Sequence, residues 1–301
     1  MLSRYAVCVI GVLLASCQSV TPRTWELPAG VKAAQVNGYE MAYVERGSGA
    51  PLVLVHGSLS DYRSWDPQLA SFSANYRTFS PSLRRNYPER WNGSGDDFSI
   101  HQHSEDLASF IKWLNVGPVY LVAHSRGGDV VLRLIRTHPQ LVRSVVLADP
   151  APLDSLVPKS PVADAAAAKR KDQLTRTLER FQKGDIDGGL EIFIDMNVAP
   201  GTWKNAPAAT KQVWRDNAWS VKNLVVDAQE PFTCADARNI SVPVLLVTGE
   251  KSPSIFGVML DALQPCLPRQ ERVTIPNASH GMARTHSQVF NAAVLRFLAQ
   301  H

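Results

Sequence analysis

The chain has 301 residues, which is enough for one large α/β domain or two small ones. Its apolar fraction of 45% and charged fraction of 19% are those of an ordinary soluble globular protein. The net charge of +4 is a small excess, and the one dense basic run, KRK at 169–171, has no aromatic or motif context, so nucleic acid is excluded as a partner.

The first 20 residues have the layout of an export signal. Arg4 precedes an apolar run over 5–14 that is too short for a permanent transmembrane helix, and small residues follow it. The stretch LASC at 14–17 also resembles the lipobox of bacterial lipoproteins, in which the cysteine is acylated and becomes the new N-terminus. This resemblance implies a signal peptide over 1–16 and lipid attachment at Cys17. A plain secretory signal is the alternative.

A lipid anchor at the N-terminus would attach this chain to a membrane, with the body of the protein in water. Gln18, next to the cysteine, is not the aspartate associated with inner-membrane retention in some bacteria. The resemblance therefore favours the outer membrane of a bacterial cell envelope, with a periplasmic or surface-exposed body. The segment 17–30 is interpreted as lipid-attachment site and linker.

From residue 33 onwards, short apolar strands alternate with amphipathic helices. Alternating apolar and polar residues around Asn37-Gly38 predict a hairpin, and continuous apolar runs predict strands covered on both faces. These further strands are predicted at 51–57, 76–83, 119–124, 142–150, 242–249 and 271–276. Helices are predicted at 103–115 with Ser104 as the capping residue, at 127–138 and at 287–300.

The span 153–232 breaks this alternation, because it is rich in Ala, Lys and Trp, helical in texture and without a clear strand. An insertion of that length between two core strands is interpreted as a helical cap over one end of the sheet. The sequence thus predicts an α/β fold with a mostly parallel central sheet flanked by helices. Its core would comprise 31–152 and 233–301.

Two cysteines remain if Cys8 leaves with the signal peptide and Cys17 carries lipid. These are Cys234 and Cys266, which flank the predicted strand at 242–249. Two remaining cysteines in an exported protein suggest a disulfide, but the bond requires Cα atoms within about 7 Å of each other. A disulfide and two buried free thiols both stay open.

The stretch VAHSRGG joins a predicted strand to a predicted helix through a small-x-Ser-x-Gly pattern, the nucleophile elbow. Ser125 would take a strained conformation on this turn, and Ala123 and Gly127 are small enough for strand and helix to pass close together. The helix that follows directs its N-terminal N–H groups at charge developing beside the serine. An ordinary turn with Ser125 as a helix cap is the alternative.

The stretch VHGSLSDYRSW at 55–65 ends another strand near this elbow. The backbone N–H of Ser58 or Leu59, together with that of Arg126, would form an oxyanion hole. His56 is interpreted as a histidine that shapes this loop.

His280 lies in NASHGM, a loop between the last strand and the last helix, where a general base is expected. With VHGS, AHSRGG and ASHGM in this order, the chain resembles the α/β-hydrolase superfamily from about Val36 to the C-terminus. LVAHSRGGDVVLRL looks like the esterase, haloperoxidase and C–C-bond hydrolase branch, whereas the dehalogenase and epoxide-hydrolase branches use aspartate as nucleophile. The resemblance implies the α/β-hydrolase fold with a cap insertion.

The family order is serine, acid, histidine. Ser252, in the stretch TGEKSPSIF, occupies the common acid position, with Glu250 and Asp261 as nearby alternatives. Asp149 ends the strand that follows the nucleophile helix, where some branches of the superfamily carry their acid. Both strand ends open onto the same face of the sheet, so we predict that Asp149 orients His280.

The predicted chemistry is acyl transfer to Ser125, with His280 as proton carrier and no metal or organic cofactor. The predicted substrate is a small molecule, a small or medium carboxylic ester. Aromatic residues of the cap would wall its pocket, with ordinary packing inside the cap as the alternative for most of them: Phe181, Phe193, Trp203, Trp214 and Trp219. A C–C-bond hydrolase or perhydrolase with the same triad and a non-catalytic hydrolase-like binding lipoprotein remain open, and the oligomeric state stays undetermined.

Overall fold

A computed structural model describes residues 25–95, 98–227 and 230–301. The predicted signal peptide, Cys17 and most of the 17–30 segment lie outside these ranges. Among the helices that are described, none is long and apolar enough to cross a membrane.

The described strands form one eight-stranded sheet. They are β1 (Lys32–Val36), β2 (Tyr39–Arg46), β3 (Ala50–Val55), β4 (Tyr76–Pro81), β5 (Val119–His124), β6 (Val142–Ala148), β7 (Val244–Gly249) and β8 (Gln270–Ile275). Their order is β1-β2-β4-β3-β5-β6-β7-β8. β2 is antiparallel to β1 and β4, and the other neighbouring pairs are parallel. The expected mostly parallel sheet is confirmed.

Helices connect these strands in chain order. They are α1 (Asp66–Phe72), α2 (Ile100–Leu114), α3 (Arg126–Thr137), α4 (Pro161–Gln182), α5 (Ile186–Asn197), α6 (Thr202–Asn205), α7 (Ala208–Asp216), α8 (Asn223–Val226), α9 (Cys234–Arg238), α10 (Ser254–Leu263), α11 (Met282–Thr285) and α12 (Ser287–Leu298). Short 3-10 turns occupy Tyr62–Trp65, Pro139–Leu141, Asp154–Leu156, Ala218–Lys222 and Gln264–Cys266.

Helices cover both faces of the sheet because successive side chains of a strand point to opposite sides. Leu52 and Leu54 of β3 belong to the apolar cluster with α1 and α12, whereas Val53 and Val55 belong to the cluster with α2, α3 and α10. A strand that is buried on both faces needs a continuous apolar run, and this explains the PLVLV pattern.

The start of the helix predicted at 103–115 differs from the expectation. α2 begins at Ile100, and its cap is Ser99, whose side chain accepts the N–H of Gln102. The prediction of Ser104 as cap was wrong, because Ser104 lies inside the helix and is buried. A serine at the first non-helical position satisfies a terminal N–H, which an internal serine does not.

The helices α4 to α8 lie between β6 and β7 and have an apolar cluster of their own. It includes Phe181, Leu190, Phe193 and Val221, and Leu59 from the loop after β3 packs into it. We call α4 to α8 the cap helices. A separate cluster explains how these helices can pack over the sheet without adding a strand to it.

Cys234 and Cys266 are joined by a disulfide, with Cα atoms 5.2 Å apart. The bond links the start of α9 to the turn after α10. It closes a loop with a sequence separation of 32, and this loop contains β7.

Breaking this disulfide should lower the free energy of unfolding by about 3–4 kcal/mol, because a loop of this length loses its closure in the unfolded chain. Urea unfolding of wild type and Cys234→Ser/Cys266→Ser measures the effect. Cys234→Ser alone should match the double variant, since either change removes the same bond. Equal midpoints for oxidised and reduced wild type would show that the bond contributes nothing.

Candidate active site

Ser125 lies on the tight turn between β5 and α3. Its backbone angles are φ 54° and ψ −126°, which a residue with a side chain adopts only under strain. Its N–H donates to the carbonyl of Ala148 at the end of β6, and this bond of 2.9 Å fixes the turn against the neighbouring strand. The surrounding structure thus maintains the strained serine.

Two glycines allow this turn to form. A Cβ on Gly127 would lie 2.5 Å from the carbonyl oxygen of His56, and one on Gly57 would lie 2.8 Å from Cβ of Ser125. Neither position has room for a side chain. The loop after β3 and the elbow after β5 therefore approach each other at backbone distance, as the small residues predicted.

His280 lies in the loop after β8 and meets Asp149, which is fully buried after the end of β6. Nδ1 of His280 and Oδ2 of Asp149 are 3.1 Å apart, and a carboxylate oxygen can only accept, so Nδ1 donates. The imidazole also stacks on Phe256 with 4.0 Å between ring centroids. This arrangement leaves Nε2 of His280 as the nitrogen that can exchange a proton.

Asp149 accepts two further hydrogen bonds, both from the strand end that follows it. Thr248 Oγ1 donates to Oδ1 at 2.6 Å, and Ser252 Oγ donates to Oδ2 at 2.7 Å. The serine at the common acid position is thus a hydrogen-bond donor to the displaced carboxylate. Sequence reasoning noted Ser252 but did not predict this contact.

The two alternative acids have other partners. Glu250 is exposed and accepts the N–H of Asn277 at 2.7 Å, and Asp261 is paired with Arg272 at 2.5 Å. Neither carboxylate makes a hydrogen bond to His280 among the described residues. The geometry therefore favours Asp149.

A second histidine positions the loop of His280. His124, directly before Ser125, donates from Nε2 to the backbone carbonyl of His280 at 2.8 Å, and the two rings lie 4.5 Å apart. Burial, followed by the neighbouring His280 ring, lowers the pKa of His124 to about 3, so its ring is neutral. No sequence pattern predicts this contact.

Of the three predicted oxyanion donors, one is already engaged in another hydrogen bond. The N–H of Leu59 donates to Ser220 Oγ at 2.9 Å, and its side chain packs among the cap helices. The backbone N–H groups of Ser58 and Arg126 have no hydrogen-bond partner among the described residues, and both residues line the cavity beside Ser125. Ser58 and Arg126 are therefore the pair that remains free to bind an oxyanion.

His56 has the structural role that its loop position predicted. Nδ1 donates to the carbonyl of Gly57 at 2.8 Å, and Nε2 accepts the N–H of Leu83 at 2.9 Å. Burial lowers the pKa of His56 to about 4, so the ring stays neutral and both contacts persist at neutral pH.

A cavity of about 160 Å³ lies between the sheet and the cap helices, and Ser125 and His280 both line it. Its apolar lining includes Trp65, Phe193, Ile194, Val213, Trp214 and Leu224. Of the aromatic residues predicted for the pocket, Phe193 and Trp214 line it. The others pack within the cap: Phe181, Trp203 and Trp219.

In the described part of the chain, no group of three His, Cys, Asp or Glu side chains could bind a metal ion.

Comparison with known proteins finds relatives in both sequence and fold. Residues 52–293 match the model of the alpha/beta hydrolase family. An (E)-2-((N-methylformamido)methylene)succinate hydrolase of Acinetobacter baylyi is 24% identical over 267 residues, which cover 85% of this chain and 93% of the relative. A non-heme haloperoxidase of Rhodococcus erythropolis is 22% identical, over 87% of this chain and 97% of the relative. The structure of a Bacillus subtilis carboxylesterase superposes with a TM-score of 0.70 at 18% identity, covering 92% of this chain and 94% of that one.

Thr248→Val should lower the free energy of unfolding by about 1–3 kcal/mol, because it leaves the buried Oδ1 of Asp149 without its only donor among the described residues. Ser252→Ala should lower the free energy of unfolding by less, since Oδ2 of Asp149 keeps its hydrogen bond from His280. Urea unfolding measures both, with Thr78→Val as the matched control, because that buried hydroxyl bonds only a backbone carbonyl. Equal costs for Thr248→Val and Thr78→Val would contradict this account of Asp149.

Proposed function

The chain belongs to the alpha/beta hydrolase family, and from this premise we propose that it is a serine hydrolase of small or medium carboxylic esters. Ser125 is the nucleophile, His280 the general base and Asp149 the acid. The observation that carries the proposal is the contact between His280 and Asp149, which leaves Nε2 of His280 free in the cavity that Ser125 lines.

In the proposed mechanism, Nε2 of His280 takes the proton of Ser125 as Oγ attacks the carbonyl carbon of the ester. The oxyanion that forms accepts hydrogen bonds from the backbone N–H groups of Ser58 and Arg126. His280 then gives its proton to the leaving alcohol, and an acyl-enzyme forms. His280 then takes a proton from water as the water attacks the acyl group, the acyl group leaves as the carboxylic acid, and the proton returns to Oγ of Ser125.

The buried carboxylate has a defined part in these steps. Asp149 keeps Nδ1 of His280 protonated, so that Nε2 is the basic nitrogen, and it stabilises the imidazolium that forms in each half-reaction. Thr248 and Ser252 fix the carboxylate from the other side. His124 fixes the backbone of the loop that carries the base.

Ser125→Ala and Asp149→Asn should each lower kcat for aryl esters by about 10⁴-fold or more, because they remove the nucleophile and the group that sets the histidine tautomer. Glu250→Gln is the matched control, because this exposed carboxylate lies two residues before the common acid position, bonds Asn277 and should be dispensable. Hydrolysis of 4-nitrophenyl esters across acyl chain lengths measures the effect. Loss of activity in Glu250→Gln with an active Asp149→Asn would place the acid after β7 instead.

A perhydrolase activity with the same three residues is the second candidate, and similarity to the non-heme haloperoxidase favours it. The same acyl-enzyme would then be attacked by hydrogen peroxide in place of water. Assays with 4-nitrophenyl acetate in the presence and absence of hydrogen peroxide separate the two, since peracid is formed only by the second route.

We also propose that the chain is a lipoprotein of a bacterial cell envelope. The LASC stretch at 14–17 supports it, and so does the disulfide between Cys234 and Cys266, since such bonds persist in oxidising compartments. The lipid would hold the body of the protein at a membrane surface.

Expression in a bacterial host with radiolabelled palmitate tests this anchor. The wild-type chain should incorporate label and partition with membranes, and Cys17→Ser should do neither, because the acylated sulfur is gone. Cys8→Ser is the control that should leave labelling unchanged. An unlabelled wild-type chain released into the periplasm would indicate a plain secretory signal.

A further inference from the structure

The cavity beside Ser125 has cationic side chains in its lining and no carboxylate among the described residues. Arg126, Arg170 and Arg284 line it, together with the histidines already described. None of these three arginines forms an ion pair with a described carboxylate. Arg284 is exposed, whereas Arg126 is buried and Arg170 is half-buried. A pocket for wholly neutral esters has no need of the charges of Arg126 and Arg170, because burying a charge without a partner costs free energy.

Arg170 lies on α4, one of the cap helices. It lines this cavity together with Asn197 of α5, and it also lines a neighbouring cavity together with Asp154. Its one hydrogen bond within the described residues is long, 3.4 Å from Nη1 to Oδ1 of Asn197. Asp154 attracts it electrostatically but makes no ion pair with it. Burial lowers the pKa of Arg170 below its ordinary value. The guanidinium therefore has most of its donors unused.

Arg126 adds a second charge without an ion pair on the core side, where Asp129 and Asp227 attract it electrostatically. Its Nε donates to Asn223 at 2.7 Å and its Nη1 to Nδ1 of His103 at 2.7 Å, both neutral partners, while its buried Nη2 has none among the described residues. Asp129, one turn along the helix, pairs with Arg133 instead. Burial lowers the pKa of Arg126 to about 10, which still leaves it charged at neutral pH.

We propose that the substrate of Ser125 carries a carboxylate group and that Arg170 binds it. This inference rests on the proposed hydrolase function and narrows its substrate class to esters that bear a carboxylate in the acyl part or in the leaving group. A planar guanidinium with free N–H groups matches a carboxylate in a bidentate arrangement. The charge of Arg126 adds attraction for the same anion, and the apolar cap residues accommodate the chain between carboxylate and ester.

Two matched substrate pairs test this proposal in the full-length enzyme. The first pair is 4-nitrophenyl hemiglutarate against 4-nitrophenyl pentanoate, with the charge in the acyl part. The second is 4-acetoxybenzoate against its methyl ester, with the charge in the leaving group. The wild type should prefer the anionic member of at least one pair in kcat/KM by about 10- to 100-fold, the range that a charged hydrogen bond supplies.

Arg170→Gln should lower kcat/KM for the preferred anion about 10- to 100-fold more than for its neutral partner, and Arg170→Lys should restore part of the preference. Arg176→Gln is the matched control, because this arginine lies on the same helix, is exposed and does not line the cavity. Absence of preference in both wild-type pairs, or an equal loss for both members in Arg170→Gln, overturns the proposal.

A binding measurement keeps this test independent of turnover. Ser125→Ala is titrated calorimetrically with monomethyl glutarate and with dimethyl glutarate, and the monoacid should bind about tenfold more tightly or better. Adding Arg170→Gln should remove that difference. If no ester is hydrolysed, the proposed function fails while this titration still decides the inference, and equal affinities for the two glutarates overturn it.

Discussion

The hydrogen bond between Nδ1 of His280 and the buried carboxylate of Asp149 is the constraint around which the candidate site is organised. The two residues are 131 positions apart, and only the sheet brings them together. The sheet order β5-β6-β7-β8 places the elbow with Ser125, the carboxylate, its two hydroxyl donors and the histidine loop at successive strand ends. Parallel strands present their carboxyl ends on one edge, which is where ligands bind in open α/β sheets. The parallel topology is therefore a requirement of this constellation.

A fully buried carboxylate is stable only if its oxygens are satisfied, and the donors come from the end of β7 and from the loop after β8. Thr248, the residue before the end of β7, serves one oxygen, while Ser252 and His280 share the other. Because the acid follows β6, the end of β7 supplies hydrogen-bond donors to the carboxylate in place of the carboxylate itself. The two hydroxyls keep the carboxylate oriented toward the imidazole, and Phe256 keeps the ring in plane by stacking.

Local patterns were sufficient to predict the strands, the elbow and the histidine loop, because each depends on periodicity or on turn chemistry over a few residues. The assignment of Asp149 as the acid followed from its position at a strand end and stays a prediction. The contact between Leu59 and Ser220 was beyond reach, since it joins a core loop to the cap across 161 residues. Arg170 was missed for the same reason: a charged residue in an Ala- and Lys-rich helix has the signature of a solvated face until the packing of that helix is known.

The central claim is that Ser125, His280 and Asp149 act as one unit. Covalent labelling with a fluorophosphonate tests it most directly. The reagent reacts with a serine only when a base activates it, and peptide mass spectrometry identifies the serine. We predict a single adduct on Ser125 in the wild type, with a labelling rate at least 10³-fold lower in Asp149→Asn, because the histidine would lose the tautomer that makes Nε2 basic. An adduct on another serine, or equal labelling rates of Ser125 in the two proteins, would contradict the account.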